Sequence, residues 1–169
     1  MPSLVNWIAS LATPWHDLYS DSAWLPVAVV FMHLVALLVG GGLALSADLA
    51  TMRVVRSDAG DRDRQLRALA STHPLVLAAL CLSAATGVLL FLADVEELAQ
   101  SRIFWTKLLL LALLAANGLW MIRMERALRL LPAPDADVTT HWRSLQARAV
   151  SSGLLWFALL LCGTILGNS

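Results

Sequence analysis

The sequence predicts an all-α membrane protein, a four-transmembrane-helix bundle with a short interfacial helix at its N-terminus. Of its 169 residues, 59% are hydrophobic and 14% are charged, whereas soluble domains carry about 25% charged residues. Four apolar runs each approach the roughly 20 residues that a helix needs to cross the hydrocarbon core. These runs cover residues 24–45, 74–93, 103–122 and 149–166. We expect them to form a single membrane domain over residues 1–169.

Basic residues are distributed unevenly along the chain. Five arginines lie between the first and second runs, and five more lie between or at the ends of the third and fourth. Only Arg102 and Lys107 fall on the other side. Because cytoplasmic loops are rich in Lys and Arg, this pattern predicts arginine-rich loops in the cytoplasm and both termini outside. Acidic residues interrupt the arginines, so we expect no nucleic-acid partner.

The segment 3–15 has the pattern of a short amphipathic helix. Its large apolar residues recur at helical spacing, and they are Leu4, Trp7, Ile8, Leu11 and Trp15. Tryptophan favours the headgroup region of a bilayer. Two interpretations stay open: a membrane-surface anchor, or a cap over a site in the bundle.

One imidazole interrupts the first apolar run. Between Leu25 and Leu45 every residue is apolar except His33, and hydrocarbon offers a ring nitrogen no hydrogen bond. At about 100° per residue, His33 shares a helix face with Gly40, and Asp48 lies close to that face. This polar, small-residue face is predicted to look into the protein.

Small residues on other spans predict room beside that imidazole. Gly87 lies at a similar depth to His33 and Gly163 lies somewhat shallower, which suits a flat ligand such as haem b. In this hypothesis His33 ligates the iron, Gly40, Gly87 and Gly163 provide clearance, and Lys107 snorkels outward to pair with a propionate. The second axial position stays open: it could be empty, or filled by Lys107, by His16 or by a residue of a second copy.

Two other interpretations of His33 compete with haem. A copper site could use soft sulfur and imidazole ligands from the outer part of the bundle, namely Met32, His33, Cys81 and Cys162. Alternatively, His33 binds no cofactor and is hydrogen-bonded to Thr86, to Thr164 or to a freed carbonyl.

Further polar residues within or beside the spans are predicted to form a structural polar layer: Asp48, Arg53, Asn117 and Arg148. An unpaired carboxylate at this depth is costly, so we expect Asp48 to pair with Arg148 or Arg123. His73 and His141, at the ends of spans, are expected to be solvated.

Short motifs carry a resemblance to the copper-resistance D (CopD-like) membrane domain. They are the Thr86–Phe91 segment TGVLLF, the Phe104–Lys107 segment FWTK, and Asn117. The resemblance covers roughly the last three spans and implies a copper-handling membrane protein.

With the first span included, the pattern looks more like a bacterial four-span inner-membrane family. The matching positions are His33, Asp48, Arg53, Thr86–Gly87, Phe104, Lys107, Asn117, Arg148 and Trp156. This resemblance implies a fold and a bacterial inner-membrane location but no activity. In that membrane, the outside termini predicted from the arginines would be periplasmic. A fainter similarity, through His33, Trp105 and Lys107, runs to the membrane-bound haem-b protoporphyrinogen oxidases.

The sequence therefore favours a small haem-b bundle protein that transfers electrons in contact with the lipid bilayer. It would act with a redox partner, within a larger membrane complex or as a homo-oligomer. The alternatives are a non-catalytic accessory subunit and a CopD-like copper-handling protein, and the pattern does not decide whether the protein is an enzyme.

Overall fold

The computed structural model describes residues 4–54, 57–130 and 136–167, which form six helices. In chain order these are α1 (Leu4–Asp21), α2 (Leu25–Val54), α3 (Ala59–Ala93), α4 (Val95–Gln100), α5 (Arg102–Leu130) and α6 (Ala136–Leu166).

The predicted all-α, four-span architecture is confirmed. Helices α2, α3, α5 and α6 are each long and apolar enough to cross a bilayer, and no strand occurs within the described ranges. Their outer faces expose large apolar side chains, for example Leu38, Leu109 and Leu161, which suit contact with lipid and not with water. The chain is a multi-pass membrane protein.

Helix α3 begins well before residue 74, the predicted start of the second span. The basic segment Arg62–Ser71 has the pattern of a separate surface helix before Pro74, but it is part of α3, which runs unbroken through Pro74. Pro74 lacks an N–H for the hydrogen-bond ladder and its ring crowds the carbonyl four residues earlier, yet the helix continues. It begins after Asp58, whose side chain accepts from the Asp61 amide at 2.9 Å. An N-cap of this kind fixes where the helix begins.

Helices α5 and α6 also extend past the predicted limits at residues 122 and 149, because their extra turns bury a second core. This core lies at the arginine-rich end, the end of the bundle where α2 and α5 end and α3 and α6 begin. Its buried members are Leu66, Leu69, Met121, Leu128, Trp142, Leu145 and Ala149. Apolar contact among the extended turns supports helix beyond the length that hydrocarbon requires.

Small residues bring α2 close to its neighbours in mid-membrane. A Cβ placed on Gly40 would lie 3.0 Å from the Ala79 Cβ and 3.3 Å from the Trp156 ring. A Cβ placed on Gly41 would lie 3.2 Å from the same indole ring. The glycines therefore let Trp156 of α6 and Ala79 of α3 pack directly on the α2 backbone.

Helix α1 is longer than predicted, running from Leu4 to Asp21 with Pro14 inside it; residue 3 lies outside the described residues. It docks on the end of the bundle opposite the arginines. The Trp15 indole donates to the Leu89 carbonyl at 2.9 Å, and His16 Nδ1 donates to the Ala93 carbonyl at 2.6 Å. The helix thus contacts the C-terminal turns of α3, and His16 supplies a donor to the Ala93 carbonyl, which has no partner within the helix.

This packing predicts opposite effects for two glycines of α2. Gly40→Ala should lower the free energy of unfolding by about 1–3 kcal/mol, because Ala79 and Trp156 must move. Gly42→Ala is the matched control, since nothing lies within 4 Å of its added methyl group, and better helix propensity should give up to about 1 kcal/mol of stabilisation. Denaturation in detergent, followed by circular dichroism, measures both. Equal losses in the two variants would contradict the packing.

Candidate functional site

The His33 ring is buried between α2 and α3 and held at one nitrogen. His33 is 8% exposed, and its Nδ1 lies 3.0 Å from the Ser83 carbonyl and 3.0 Å from the Thr86 hydroxyl. The Thr86 hydroxyl donates to the Leu82 carbonyl at 2.8 Å. A carbonyl can only accept, so Nδ1 carries the proton and donates it.

The second nitrogen of His33 faces a lysine. With the proton on Nδ1, the neutral ring has its lone pair on Nε2, and Lys107 Nζ lies 3.4 Å from this atom. The imidazole is therefore fixed in one tautomer, with its basic nitrogen directed at α5. A hydrogen bond to the far nitrogen is also how proteins orient histidines that bind metals.

Lys107 does not extend to the outer interface as the sequence led us to expect. Its side chain turns into the bundle toward His33, and a Cβ added to Gly163 would lie 3.8 Å from Nζ. Within residues 4–54, 57–130 and 136–167, Lys107 forms no ion pair with a carboxylate. A lipid-depth amine without a counter-ion is unusual and points to a function.

A cavity of about 310 Å³ opens beside the His33–Lys107 pair. We call it the outer cavity, and besides this pair it is lined mainly by Ser83, Ala84, Gly87, Val88, Phe91, Phe104, Trp105, Leu108, Leu111 and Leu159. Phe91 and Phe104 stack with their centroids 5.1 Å apart. Val88 and Trp105 are 54% and 56% exposed, so the rim of the cavity reaches the lipid-facing surface.

The structure separates the three glycines proposed to provide clearance. A Cβ on Gly87 would lie 3.4 Å from His33 Cε1, and one on Gly163 would approach Lys107. These two glycines border the pair. Gly40 lies elsewhere, because Trp156 and Ala79 occupy the space beside it.

The predicted polar layer is not a contiguous layer. Asp48 forms no ion pair with Arg148 or Arg123 in the described part of the chain, so that expectation is wrong. The Arg148 guanidinium instead lies 5.0 Å from the centre of the Trp120 ring. A cation–π contact with Trp120 stabilises the arginine that we expected to pair with a carboxylate.

Two members of the predicted layer also have other surroundings. Arg53 is exposed. Asn117 Nδ2 donates to the Arg148 backbone carbonyl at 3.1 Å, so it joins α5 to α6 through the main chain.

The copper ligands considered above do not converge. Met32 and Cys81 are exposed on the outside of the bundle, and no group of three or more His, Cys, Asp or Glu with metal-binding geometry occurs among the described residues. His16, considered as a second haem ligand, has its Nδ1 on the Ala93 carbonyl. Thr164, considered as a partner of His33, donates to the Leu160 carbonyl of its own helix.

An ionic cluster at the arginine-rich end was missed from the sequence. His73 Nδ1 donates to Glu125 at 2.9 Å, and Arg129 contacts the other oxygen of the same carboxylate at 2.9 Å. His73 is therefore paired and not simply solvated. Glu125 and Arg129 are four residues apart on one helix, a spacing that favours an ion pair. His73 is 52 residues from Glu125 in the sequence, so no local pattern predicts its contact with this glutamate.

A second, inner cavity of about 390 Å³ lies between α3 and α5 and shares Ala84, Leu108 and Leu111 with the outer one. Its polar lining is confined to one end, where Asp48, Thr72, His73 and Ser152 lie. The space between α3 and α5 thus holds two adjoining cavities with different polar groups.

No family model, curated protein or solved structure matches the chain. The resemblances to the CopD-like domain, to the bacterial four-span family and to the haem-b oxidases stay predictions from short motifs. The function has to be inferred from the two cavities and from the side chains that line them.

Proposed function

We propose that the protein is a small haem-b electron-transfer protein, with His33 as an axial ligand. The observation that carries this proposal is the anchored imidazole: Nδ1 donates to Ser83 and Thr86, and Nε2 presents its lone pair toward Lys107 beside the outer cavity. Axial histidines of haem proteins bind through one nitrogen while the other is held by a hydrogen bond.

The residues around the pair fit a flat apolar ligand. Gly87 leaves the edge of the His33 ring uncovered, and Phe91 and Phe104 form an aromatic wall. A cavity of about 310 Å³ is at the small end of the range for ligand sites. Because the rim reaches the lipid-facing surface, a macrocycle can be partly enclosed and partly covered by acyl chains.

Lys107 is proposed as the second ligand of the iron. Its Nζ lies 3.4 Å from His33 Nε2 on the side of the lone pair, so these two nitrogens are the groups that would hold the iron. A lysine that binds metal does so as the neutral amine, which also removes the cost of an unpaired ammonium in the membrane. The alternative assignment, a propionate partner, keeps Lys107 charged.

Haem b, when bound, supplies a one-electron couple. The chain itself holds the ring nitrogen in one orientation through Ser83 and Thr86, and encloses the pair in apolar surface that excludes water. Low polarity around the site influences its reduction potential. The partner would be a redox protein or a larger complex in the same membrane.

A second candidate function is a non-catalytic accessory subunit. It is favoured by one observation: both nitrogens of His33 already have partners in this chain, on α3 and α5. Interhelical hydrogen bonds of this kind contribute about 0.6–2 kcal/mol each in membranes. In that case the His33–Lys107 pair stabilises the packing of α2, α3 and α5 and binds no cofactor.

We also propose that the arginine-rich end faces the cytoplasm of a bacterial inner membrane and that both termini are periplasmic. Arg53, Arg62 and Arg67 lie near one short connection, and Arg129 and Arg143 lie near the other. Positively charged loops are retained on the cytoplasmic side.

The haem proposal predicts a coloured protein whose colour depends on His33. Protein purified from haem-replete cells should show a Soret band, and His33→Ala should lose it. His16→Ala is the matched control and should keep it, because His16 lies on the Ala93 carbonyl. Absorbance, with the haem extracted and quantified, measures both. Colourless wild-type protein that is helical and intact contradicts the haem proposal and leaves the accessory role.

The assignment of Lys107 predicts a change in coordination. Lys107→Ala should retain haem on His33 but convert a six-coordinate low-spin spectrum into a five-coordinate high-spin one. Arg102→Ala, which alters the other basic residue of that side, should leave the spectrum unchanged. Electron paramagnetic resonance of the oxidised proteins reports the spin state. A low-spin signal that persists in Lys107→Ala would exclude the lysine as a ligand.

The orientation predicts how reporter fusions behave. Alkaline phosphatase, which is active only outside the cytoplasm, should be active when fused after the C-terminal residue and inactive when fused after Gly60. A cytoplasmic fluorescent reporter should give the inverse result. Phosphatase activity at Gly60 would show that the arginine-rich end is outside.

A further inference from the structure

The inner cavity is a long apolar slot with a polar end. Along α3 its lining runs from Thr72 to Ala84, a length of about 18 Å at 1.5 Å per residue. Its walls are mainly leucine, alanine and valine from α3 and α5, and Trp156 of α6 contributes to them. The shape suits an extended acyl or alkyl chain.

Asp48 lies at the polar end and lacks a partner for one of its oxygens. The residue is 3% exposed, and its Oδ2 has no hydrogen-bond partner in the part of the chain that the structure describes. Ser152 lines the same end of the cavity. Desolvating a carboxylate oxygen without a partner costs several kcal/mol. A ligand that donates a hydrogen bond to Asp48 would offset this cost.

The other polar groups at this end do not compensate the carboxylate. His73 also lines the cavity, but its Nδ1–H is directed at Glu125, and Arg129 lies on that same glutamate. Thr72 donates its hydroxyl proton to the Ala68 carbonyl at 2.9 Å. His73 and Arg129 are therefore engaged with Glu125, and Asp48 faces an apolar slot.

We propose that the inner cavity binds a cationic amphiphile, a lipophilic amine whose ammonium pairs with Asp48 and whose chain lies between α3 and α5. An ammonium supplies both the donor and the positive charge that a buried carboxylate requires. A neutral alcohol supplies only the donor, and a carboxylate ligand would repel Asp48. Neither His33 nor Lys107 takes part, so this site is independent of the proposed haem function.

Entry from the bilayer is consistent with the lining. Leu77, Leu108 and Leu119 border the cavity and are each more than one-third exposed on the lipid-facing surface. An amine dissolved in the membrane can therefore reach Asp48 by passing between α3 and α5 without crossing the packed contacts of α2.

The test compares three chain-brominated probes of equal length: a dodecylamine, a dodecanol and a dodecanoate. Bromine quenches tryptophan fluorescence on contact, and Trp156 lines the cavity. Because the chain has seven tryptophans, the quenching seen in Trp156→Phe is subtracted from that of the wild-type protein. The difference reports binding beside Trp156. Purified full-length protein in bilayer discs should give half-maximal quenching by the amine at a concentration at least about tenfold lower than by the alcohol.

The Asp48→Asn variant should abolish the preference for the amine, and Asp63→Asn is the matched control because that carboxylate is exposed and paired with Arg67. Asparagine keeps the volume of the side chain and removes an unsatisfied charge, so folding should be retained. A second variant, Gly118→Leu, fills the cavity where nothing lies within 4 Å of an added Cβ; it should abolish quenching by all three probes.

Several results would overturn the proposal. Equal affinity for amine and alcohol would show that the cavity does not recognise positive charge. Tighter binding of the dodecanoate would show that it prefers an anion. An unchanged preference in Asp48→Asn would place the amine elsewhere, as would full quenching in Gly118→Leu.

Discussion

The structure depends on the requirement that polar groups within a hydrocarbon layer find partners inside the protein. His33 satisfies this requirement with both ring nitrogens, through Ser83 and Thr86 on α3 and Lys107 on α5. One side chain of α2 thus fixes the rotation of that helix relative to two others. Rotating α2 would remove the imidazole from these partners, so the three contacts of His33 select one rotation of α2.

The helices pack closely around α2 and leave space between α3 and α5. Trp156 packs on the glycines of α2 and holds α6 against it, whereas α3 and α5 meet around two cavities. The outer cavity presents nitrogen bases, His33 and Lys107, and the inner one presents a carboxylate, Asp48. A ligand that suits the outer cavity therefore does not suit the inner one. The two cavities can have separate functions.

The fold was largely predictable from the sequence, and the site only in part. Runs of apolar residues long enough for the bilayer identify four spans because lipid imposes the length. The limits of α3 and α6 were not predictable, since their extra turns are stabilised by a core centred on Trp142 and Leu69, which belong to different helices.

Within the site, the position of His33 on an inward face followed from helix periodicity, and Thr86 followed from its depth. The inward turn of Lys107 did not, because a lysine near a span end can equally extend to the interface. The missing pair of Asp48 and Arg148 has a similar cause: depth suggested proximity, but rotation of α6 directs Arg148 to Trp120. In this chain the sequence pattern gave the depth of these residues in the membrane. It did not give the rotation of α5 and α6 relative to their neighbours.

The central claim is that His33 is held with a proton on Nδ1 and a lone pair on Nε2, facing the interior. Solid-state nitrogen NMR of histidine-labelled protein in bilayers, produced without haem and assigned by comparison with His33→Ala, measures this tautomer directly. We predict a single resonance pair for a protonated Nδ1 and an unprotonated Nε2 that is protected from exchange with water. A protonated Nε2, or a ring that exchanges rapidly with solvent, would contradict the account.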